Sequence, residues 1–434
     1  MWMAVKRGIV VAIGLLIQIL LTLFIYLKFG EFISIIQVVY GLLSIIIVLM
    51  IIKYSKRLSS DLIWILLIML FPLIGTLLYI ILSNNMKKSK VLKNINKNIE
   101  NGQKYLIQDE FIKKEIDTKN LGQLKYISEF AGFPVTKNNE INYYSLGDDV
   151  YPVMLEELKK AKKFIFIEYF IINNGTMWQG ILDILKEKAN SGLDVRVLYD
   201  DMGSFAMLPS NYPKLLGKYG IKCMQFNKLS PFAGIIMNNR DHRKMMIIDG
   251  HTAFSGGINI SDEYININSK LGVWKDNGIR IKGEAVWNFT VMFLEMWNSF
   301  KKEDNDYNKY KYNFTEKYKE NGFVVPYGES PLDDVITGED IYLNIINQAK
   351  KYVYIYTPYL IIDTDMINSL ILAARRGVDV RIIVPGIPDK KIVYDLTSSY
   401  FYTLIKGGVK IYTYTKGFVH SKVFLSDDEI ATVG

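Results

Sequence analysis

The sequence predicts an α/β protein made of two tandem α/β sandwich halves with pseudo-twofold symmetry, preceded by N-terminal transmembrane helices. Three observations lead to this prediction. The first part of the chain holds long apolar runs, the remainder repeats a helix–strand pattern, and each copy of that pattern ends in a His-x-Lys-x4-Asp motif. Two similar halves usually pack about a pseudo-twofold axis, so equivalent residues should meet at their interface.

Residues 1–85 are predicted to form a membrane region. Residues 8–27 and 32–52 are apolar runs, and each is long enough to cross a hydrocarbon core of about 30 Å as a helix. The second run follows the first directly, which argues against a cleaved signal peptide. A third run, residues 62–82, either spans the membrane or lies as a kinked, re-entrant segment. The basic residues that flank these runs favour the cytoplasmic side for the rest of the chain.

Composition narrows the classes of partner. The net charge of +8 and the abundant lysines indicate an anionic partner, either phospholipid headgroups or nucleic acid. A generally lysine-rich composition would explain the same charge without any partner. The single cysteine, Cys223, excludes an intrachain disulfide framework and a cysteine-rich metal site.

The chain after the membrane region is predicted to divide into four segments. Residues 86–130 are polar and charged and are predicted to be a linker that leads into the first half, residues 131–300. Residues 301–322, rich in Lys, Asp, Asn and Tyr, are predicted to be a solvated linker before the second half, residues 323–434.

The two halves repeat the same order of predicted elements. An amphipathic helix runs into an aromatic and β-branched strand at 164–170 in the first copy and at 352–356 in the second. A further helix precedes a strand that reads Gly-Leu-Asp-Val-Arg at 192–196 and Gly-Val-Asp-Val-Arg at 377–381. Such alternation is typical of an α/β sandwich with a mixed, largely parallel sheet. Ahead of the first copy, residues 134–144 are predicted to form a β-hairpin.

The two motifs are the strongest functional signal, because two of the three histidines in the chain occupy the same slot of both copies. Side chains alternate faces along a strand, so each His shares a face with its Lys, while the intervening Arg243 or Ser421 points away. The Asp seven positions after each His falls on the other face and is predicted to be structural. The motif residues are His242, Lys244 and Asp249 in the first copy and His420, Lys422 and Asp427 in the second. The third histidine, His251, is predicted to be a surface residue.

Two His and two Lys side chains in one pocket suit phosphoryl transfer without a metal ion. One imidazole attacks phosphorus, while the other protonates the leaving alkoxide and later deprotonates the incoming alcohol. The two ammonium groups hold the non-bridging oxygens and stabilise the charge of the transition state. The sequence therefore predicts no cofactor and no metal.

The paired motifs resemble those that define the phospholipase D superfamily and, more closely, those of the bacterial cardiolipin synthases within it. Further matching elements are Trp64, Pro72 and Gly75 in the membrane region, Asp201-Met-Gly-Ser204, Thr357-Pro-Tyr359, Gly408-Val-Lys-Ile-Tyr412 and Gly417-Phe-Val-His420. The resemblance extends over essentially the whole chain, and the motif pair is specific for the superfamily rather than for one substrate.

The resemblance also implies roles for individual residues. His242 would be the nucleophile that forms a phosphatidyl-histidine intermediate, and His420 would be the general acid and base. Asp276, in Trp-Lys-Asp, would be the carboxylate that orients His242. The implied catalytic set also includes both motif aspartates, and the implied phosphate-binding residues are Lys244, Lys422 and Asn259.

By the same resemblance, the expected reaction joins two phosphatidylglycerol molecules to give cardiolipin and glycerol. The expected partners are phosphatidylglycerol and other anionic phospholipids in a bacterial cell membrane, with no nucleic acid, and the oligomeric state is left open. The alternatives are a phosphatidyltransferase with a different acceptor, a hydrolytic phospholipase D, a basic nuclease, or a catalytically inactive membrane scaffold. The apolar runs argue against a nuclease.

The two copies differ at their C-terminal ends. The first continues past its motif to Gly256 and Asn259, whereas Gly434, seven residues after Asp427, is the last residue of the sequence. The second half is therefore expected to be incomplete relative to the first, and whether a chain that ends there is active is left open.

Overall fold

The computed structural model describes residues 33–54, 58–72, 74–80, 90–119, 121–228, 240–319, 322–329 and 336–434. Its contacts divide the chain into two units, Met1–Lys88 and Ser89–Gly434. The first unit contains the predicted membrane region, and the second contains both predicted α/β halves.

Two apolar helices dominate the described part of the first unit, α1 (Ile33–Tyr54) and α2 (Leu58–Leu70). A small cluster of Ile51, Ile65 and Ile68 is buried between them, whereas many of their other apolar side chains are exposed. Within the described residues, no helix has both the length and the apolarity required to span a membrane.

The predicted membrane runs fall partly outside the described part of the chain. The run at residues 8–27 lies outside it altogether. The run at 32–52 coincides with most of α1, and the run at 62–82 overlaps α2 and a helical stretch at residues 74–80.

The second unit alternates helices and strands. Its helices are α3 (Lys90–Gly102), α4 (Glu110–Thr118), α5 (Gly122–Glu129), α6 (Gly147–Lys160), α7 (Thr176–Asn190), α8 (Asp201–Ser204), α9 (Tyr212–Gly217), α10 (Val286–Phe300), α11 (Thr337–Gln348), α12 (Thr364–Arg375), α13 (Lys391–Ser399) and α14 (Phe401–Lys406). Its strands are β1 (Asn139–Tyr144), β2 (Phe164–Tyr169), β3 (Asp194–Asp200), β4 (Lys222–Phe226), β5 (Lys244–Ile248), β6 (Thr252–Gly256), β7 (Val273–Lys275), β8 (Gly278–Gly283), β9 (Tyr352–Tyr356), β10 (Asp379–Pro385), β11 (Lys410–Tyr414), β12 (Gly417–Val419), β13 (Val423–Ser426) and β14 (Ile430–Val433).

The first half is built on a seven-stranded mixed sheet in the order β1-β8-β6-β5-β2-β3-β4. Strands β2, β3 and β4 are parallel to one another, and β5, β6, β8 and β1 pair antiparallel with their neighbours. Strand β2 is buried at every position, because helices cover both faces of the sheet. The mixed, α/β arrangement predicted from the sequence is confirmed.

Different helices cover the two faces of this sheet. On one face, α7 buries Trp178, Ile181 and Leu185, which recur at helical spacing and so form one apolar stripe. On the other face, Phe293 of α10 stacks on Phe166 with ring centroids 4.5 Å apart.

The second half repeats this architecture on a five-stranded sheet in the order β11-β10-β9-β13-β14. Strands β9, β10 and β11 are parallel and β13 and β14 are antiparallel, which matches β2, β3, β4, β5 and β6 in the first half. The internal repeat predicted from the sequence is therefore present in the topology.

A short strand pair joins the two halves. Strand β7 of the first half pairs in parallel with β12 of the second, and the register places Lys275 opposite Val419. Each strand continues directly into a predicted site residue, Asp276 after β7 and His420 after β12. This pairing therefore fixes where those two residues meet.

The β-hairpin predicted for residues 134–144 is wrong. Strand β1 instead forms the edge of the first sheet and pairs antiparallel with β8, while Thr136 bridges to Val324. The Asn-Asn pair makes no hairpin turn, because the Asn139 side chain accepts a hydrogen bond from the backbone N–H of Ala285 at 2.8 Å and anchors the start of the strand.

The prediction of a solvated linker at residues 301–322 is wrong for its first part. Arg196, buried on β3, forms an ion pair with Asp304 at 2.5 Å. Tyr310 is also buried, and its hydroxyl donates to Asp304 at 3.0 Å. Asp304 and Tyr310, whose polar character suggested a solvated segment, are thus partners of a buried arginine, and the Asp304 carboxylate neutralises its charge.

The predicted linker at residues 86–130 is helical and partly belongs to the core of the first half. Ile95 of α3 is buried in the same cluster as α10, and the indole N–H of Trp287 donates to the carbonyl of Tyr105 at 2.7 Å. The polar composition reflects the outer faces of these helices.

Candidate active site

Both motif histidines lie at the same edge of their sheets. Lys244 pairs with Tyr169, the last residue of β2, and Val423 pairs with Tyr356, the last residue of β9. Because β5 and β13 run antiparallel to these strands, each His precedes its strand at the carboxyl edge of the parallel strands.

Each histidine contacts its own lysine, as strand alternation predicts. The ammonium of Lys244 lies 3.3 Å from Nδ1 of His242, and that of Lys422 lies 2.9 Å from Nδ1 of His420. Arg243 points away, as predicted, and its guanidinium lies 3.7 Å from the buried carboxylate of Glu168.

The two motif aspartates bind backbone amides rather than the histidines. The Asp249 carboxylate accepts hydrogen bonds from the N–H groups of Lys162, Lys163 and Phe164 at 2.7–2.9 Å. Asp427 makes the same three contacts with residues 350–352, also at 2.7–2.9 Å. Both have a left-handed backbone, with φ of 55° and 57°.

These aspartates therefore clamp the start of β2 and β9, at the opposite sheet edge from the histidines. The structure places them at the ends of the motif strands, where they bind backbone amides as structural residues would, and their inclusion in the catalytic set stays a prediction that this position does not support. The physical reason is the odd spacing, which carries the Asp beyond the strand and away from the face of its His.

Asp276 contacts the second motif histidine. Its Oδ2 atom lies 2.7 Å from Nδ1 of His420, and the carboxylate is fully buried. The backbone N–H of His420 also donates to the carbonyl of Lys275 at 2.8 Å. The expectation that Asp276 orients His242 is wrong, because the β7–β12 pair carries Asp276 across to the other half.

Aromatic side chains enclose His420. The rings of Tyr264, Trp274 and Phe418 have their centroids 5.4–6.0 Å from the imidazole. The ring of His242 has one such neighbour among the described residues, Phe170, at 4.8 Å. The sequence analysis did not predict that Tyr264 and Phe170 contact the histidines. Trp274 and Phe418 belong to motifs that match the family, but no role was predicted for their side chains.

The pKa values of both lysines are lowered. Burial and the nearby charge of Lys422 lower the pKa of Lys244 to about 7. Burial lowers the pKa of Lys422 to about 8, although the carboxylate of Asp276 opposes that shift. Both lysines line the same cavity, and two ammonium groups with lowered pKa values there favour the binding of an anion.

The histidines also favour their neutral forms. His242 is open to the cavity on one side, but the protein packed around its ring and the charges of Lys244 and Lys422 lower its pKa. Burial and Lys422 lower the pKa of His420 too, but Asp276 opposes the shift there and stabilises the imidazolium. A negatively charged phosphate beside the lysines would offset their effect on both rings.

A cavity of about 570 Å³ opens onto this cluster. His242, Lys244 and Lys422 form its polar end, and side chains of α10 and β8, including Met292 and Ile281, form an apolar wall. The cavity therefore joins an anion-binding end to an apolar surface.

Two other predicted residues have different surroundings. The Asn259 side chain is buried, accepts from the N–H of Ile171 at 3.1 Å and donates to the hydroxyl of Tyr264 at 2.7 Å, and its role in phosphate binding stays a prediction. His251 is half-buried, because its ring packs on Tyr312 and Phe314, so its prediction as a surface residue is wrong.

Two sheets of matching topology, each with a His–Lys pair at the same edge and with the lysines of both pairs lining one cavity, are typical of the phospholipase D class of enzymes. A family model described as "Cardiolipin synthase, PLD-like domain" matches residues 154–297 and 342–434, and one described as "Phospholipase_D-nuclease N-terminal" matches residues 42–84. The chain belongs to the phospholipase D superfamily, in its bacterial cardiolipin synthase type.

Named relatives agree with this assignment. The chain is 34% identical to cardiolipin synthase 1 of Staphylococcus aureus over 88% of this chain and 79% of that protein. It is 33% identical to a cardiolipin synthase of Alkalihalophilus pseudofirmus over 92% of this chain and 80% of that protein. An uncharacterised protein of Streptococcus mutans is 45% identical over 86% and 81% of the two chains.

Proposed function

We propose that this protein is a cardiolipin synthase that transfers a phosphatidyl group from one phosphatidylglycerol to another and releases glycerol. The observation that carries the proposal is the composite site, in which His242, Lys244 and Lys422 line one cavity and the β7–β12 pair brings Asp276 of the first half to His420 of the second. Family membership supplies the chemical class, and this geometry supplies distinct roles for the two histidines.

In the first step, the neutral imidazole of His242 attacks phosphorus. A P–N bond forms, the P–O bond to the glycerol headgroup breaks, and His420 donates its proton to the departing alkoxide. Asp276 supports this proton donation because it stabilises the imidazolium form of His420. Lys244 and Lys422 neutralise the non-bridging oxygens of the five-coordinate transition state.

In the second step, His420 removes the proton from a free headgroup hydroxyl of a second phosphatidylglycerol. That oxygen attacks phosphorus, the P–N bond breaks, and cardiolipin leaves with His242 restored. The two steps use one proton in opposite directions, so His420 returns to its starting state after each turnover.

The first unit is proposed to lie in a bacterial cell membrane as a multi-pass anchor, with the catalytic unit on the cytoplasmic side. The exposed apolar side chains of α1 and α2 support this placement, for example Ile63 and Leu70, each 71% exposed. Such a surface is stable in contact with acyl chains rather than water.

Product analysis tests the proposal. The full-length protein, incubated with vesicles of radiolabelled phosphatidylglycerol, should form cardiolipin and free glycerol in equal amounts. Phosphatidic acid as the main product would instead identify a hydrolase, and a labelled ester formed only with an added alcohol would identify a transferase with another acceptor. Variants His242→Ala and His420→Ala serve as blanks for contaminating activity.

A further inference from the structure

Two exposed apolar segments flank the active site, one in each half. In the first half, Met202 and Phe205 follow β3 and are 45% and 48% exposed. In the second half, Ile392 and Leu396 lie on α13, after β10, and are 84% and 44% exposed. Large apolar side chains that are exposed together beside a functional site are typical of a surface that contacts a protein or a membrane.

Both segments lie at the sheet edge that carries the catalytic histidines. Each follows the carboxyl end of the second parallel strand of its half, β3 or β10, and that edge is where the motif strands begin. In the second half, the N–H of Ile387 donates to the carbonyl of Gly417 at 3.1 Å, and Gly417 begins the strand that leads to His420.

The second-half segment is also tied to the site by its polar residues. The hydroxyl of Tyr359 donates to the Asp389 carboxylate at 2.6 Å, and the ammonium of Lys390 lies 5.4 Å from the centre of the Tyr359 ring. Helix α13 then begins at Lys391, and Ile392 and Leu396 share one of its faces because they are four residues apart. These contacts hold the start of α13 beside Tyr359, which follows β9 at the same sheet edge as the histidines.

We propose that these two segments form a membrane-contact rim, Met202 and Phe205 on one side and Ile392 and Leu396 on the other, that seats the mouth of the site on a phospholipid bilayer. The inference rests on the proposed function, because both substrates of that reaction are lipids. Only the phosphate and headgroup need to reach the histidines, so a rim at the bilayer surface lets the acyl chains stay in the membrane.

An apolar side chain of similar exposure at the opposite edge of the second sheet provides a control position. Leu372 is 54% exposed on α12, close to Arg376, whose guanidinium binds backbone carbonyls just before β9. It therefore lies at the amino edge of the parallel strands, away from the histidines, and the proposal assigns it no lipid contact.

The first test compares two presentations of the substrate. The full-length variant Ile392→Asp/Leu396→Asp should raise the apparent KM for phosphatidylglycerol in vesicles about tenfold, since two large aliphatic side chains lose their apolar contact. Its kcat/KM for short-chain phosphatidylglycerol below the micelle concentration should stay at the wild-type value, and Leu372→Asp should match the wild type with both substrates. If Ile392→Asp/Leu396→Asp lost activity equally with both substrates, or lost none with either, the proposed membrane-contact rim would be rejected.

The second test does not depend on activity. The full-length variants Ile392→Trp and Leu372→Trp are reconstituted in vesicles of phosphatidylglycerol and phosphatidylcholine, and fluorescence is compared with and without brominated acyl chains. Quenching beyond that of the wild type should appear for Ile392→Trp and not for Leu372→Trp. Equal quenching of both variants, or a change of oligomeric state in Ile392→Asp/Leu396→Asp, would reject lipid as the occupant.

The two tests separate the rim from the proposed function. A wild-type protein that makes no cardiolipin from either substrate refutes the function, whereas the quenching result then still decides whether the rim meets lipid. Phe205→Asp, on the other side of the site, should reproduce the vesicle-specific loss.

Discussion

The two halves of the catalytic unit share their motif geometry and differ in what surrounds the histidine. Each half has a His–Lys contact at one sheet edge and an aspartate clamp at the other. His420 is buried, enclosed by three aromatic rings and bonded to Asp276, whereas His242 is exposed and, among the described residues, its ring nitrogens meet only Lys244.

We interpret this difference as support for the roles proposed for the two histidines. A buried histidine with a carboxylate partner is suited to holding and releasing a proton, because the carboxylate stabilises its charged form. An exposed, neutral histidine that lines the cavity is suited to attacking phosphorus. The two halves thus share the framework that holds each His–Lys pair, and the surroundings of the two histidines agree with the different roles proposed for them.

Removal of either histidine should have the largest effect. His242→Ala and His420→Ala should each lower kcat by about 10⁴-fold or more, since residues that act as one unit fail together. A phosphatidyl adduct, trapped by rapid denaturation at alkaline pH and located by peptide mass spectrometry without acid treatment, should lie on His242 in the wild type. An adduct on His420 instead would reverse the roles proposed for the two histidines.

Asp276→Asn should impair proton transfer by His420 and leave the attack of His242 on phosphorus intact. We expect a loss of about 10²- to 10³-fold with phosphatidylglycerol, because the imidazolium of His420 loses its stabilising charge. A donor with a p-nitrophenol leaving group needs no protonation, so it should still give a stoichiometric burst of p-nitrophenol in Asp276→Asn. His242→Ala is the control that should give no burst, and absence of a burst in both variants would contradict the assigned role.

The aspartate clamps test the shared framework. Asp249→Ala and Asp427→Ala should each destabilise the protein by about 2–3 kcal/mol, because three amides lose a charged acceptor. Asp→Asn at the same positions keeps the left-handed backbone accessible and should recover part of that loss. Thermal unfolding should show similar shifts for both halves, with specific activity at low temperature nearly unchanged; a selective loss of activity would support their inclusion in the catalytic set.

The lowered pKa values of the two lysines predict a smaller effect, a dependence of protein stability on pH. The pKa values of Lys244 and Lys422 in the folded protein, about 7 and about 8, lie below the value for an exposed lysine. The unfolded chain then binds more protons, so stability of the substrate-free protein should rise as pH increases from about 7 to 10. Lys244→Met should lose part of that rise in thermal unfolding measured across pH, and an unchanged pH profile would contradict the perturbed pKa.

Sequence reasoning succeeded where the relevant pattern is local. The alternation of side chains along a strand correctly predicted that each His lies beside its Lys and that Arg243 and each motif Asp point away from it. The two-residue period of this alternation depends only on the strand backbone. Sequence reasoning failed for Asp276, since its contact with His420 spans 144 residues and depends on two strands of three residues each, too short to leave a periodic signal. The polar composition of residues 301–322 likewise led to the wrong prediction that Asp304 is solvated, because its partner, the buried Arg196, lies far away in the sequence.

The strand pair between the halves also has a consequence for folding. Contacts this distant in sequence close slowly, because the chain must lose loop entropy before they stabilise it. Each half can form its sheet from nearer segments, but Asp276 reaches His420 only after the halves have docked. The contact between Asp276 and His420 is therefore expected to form late in folding, after the two sheets.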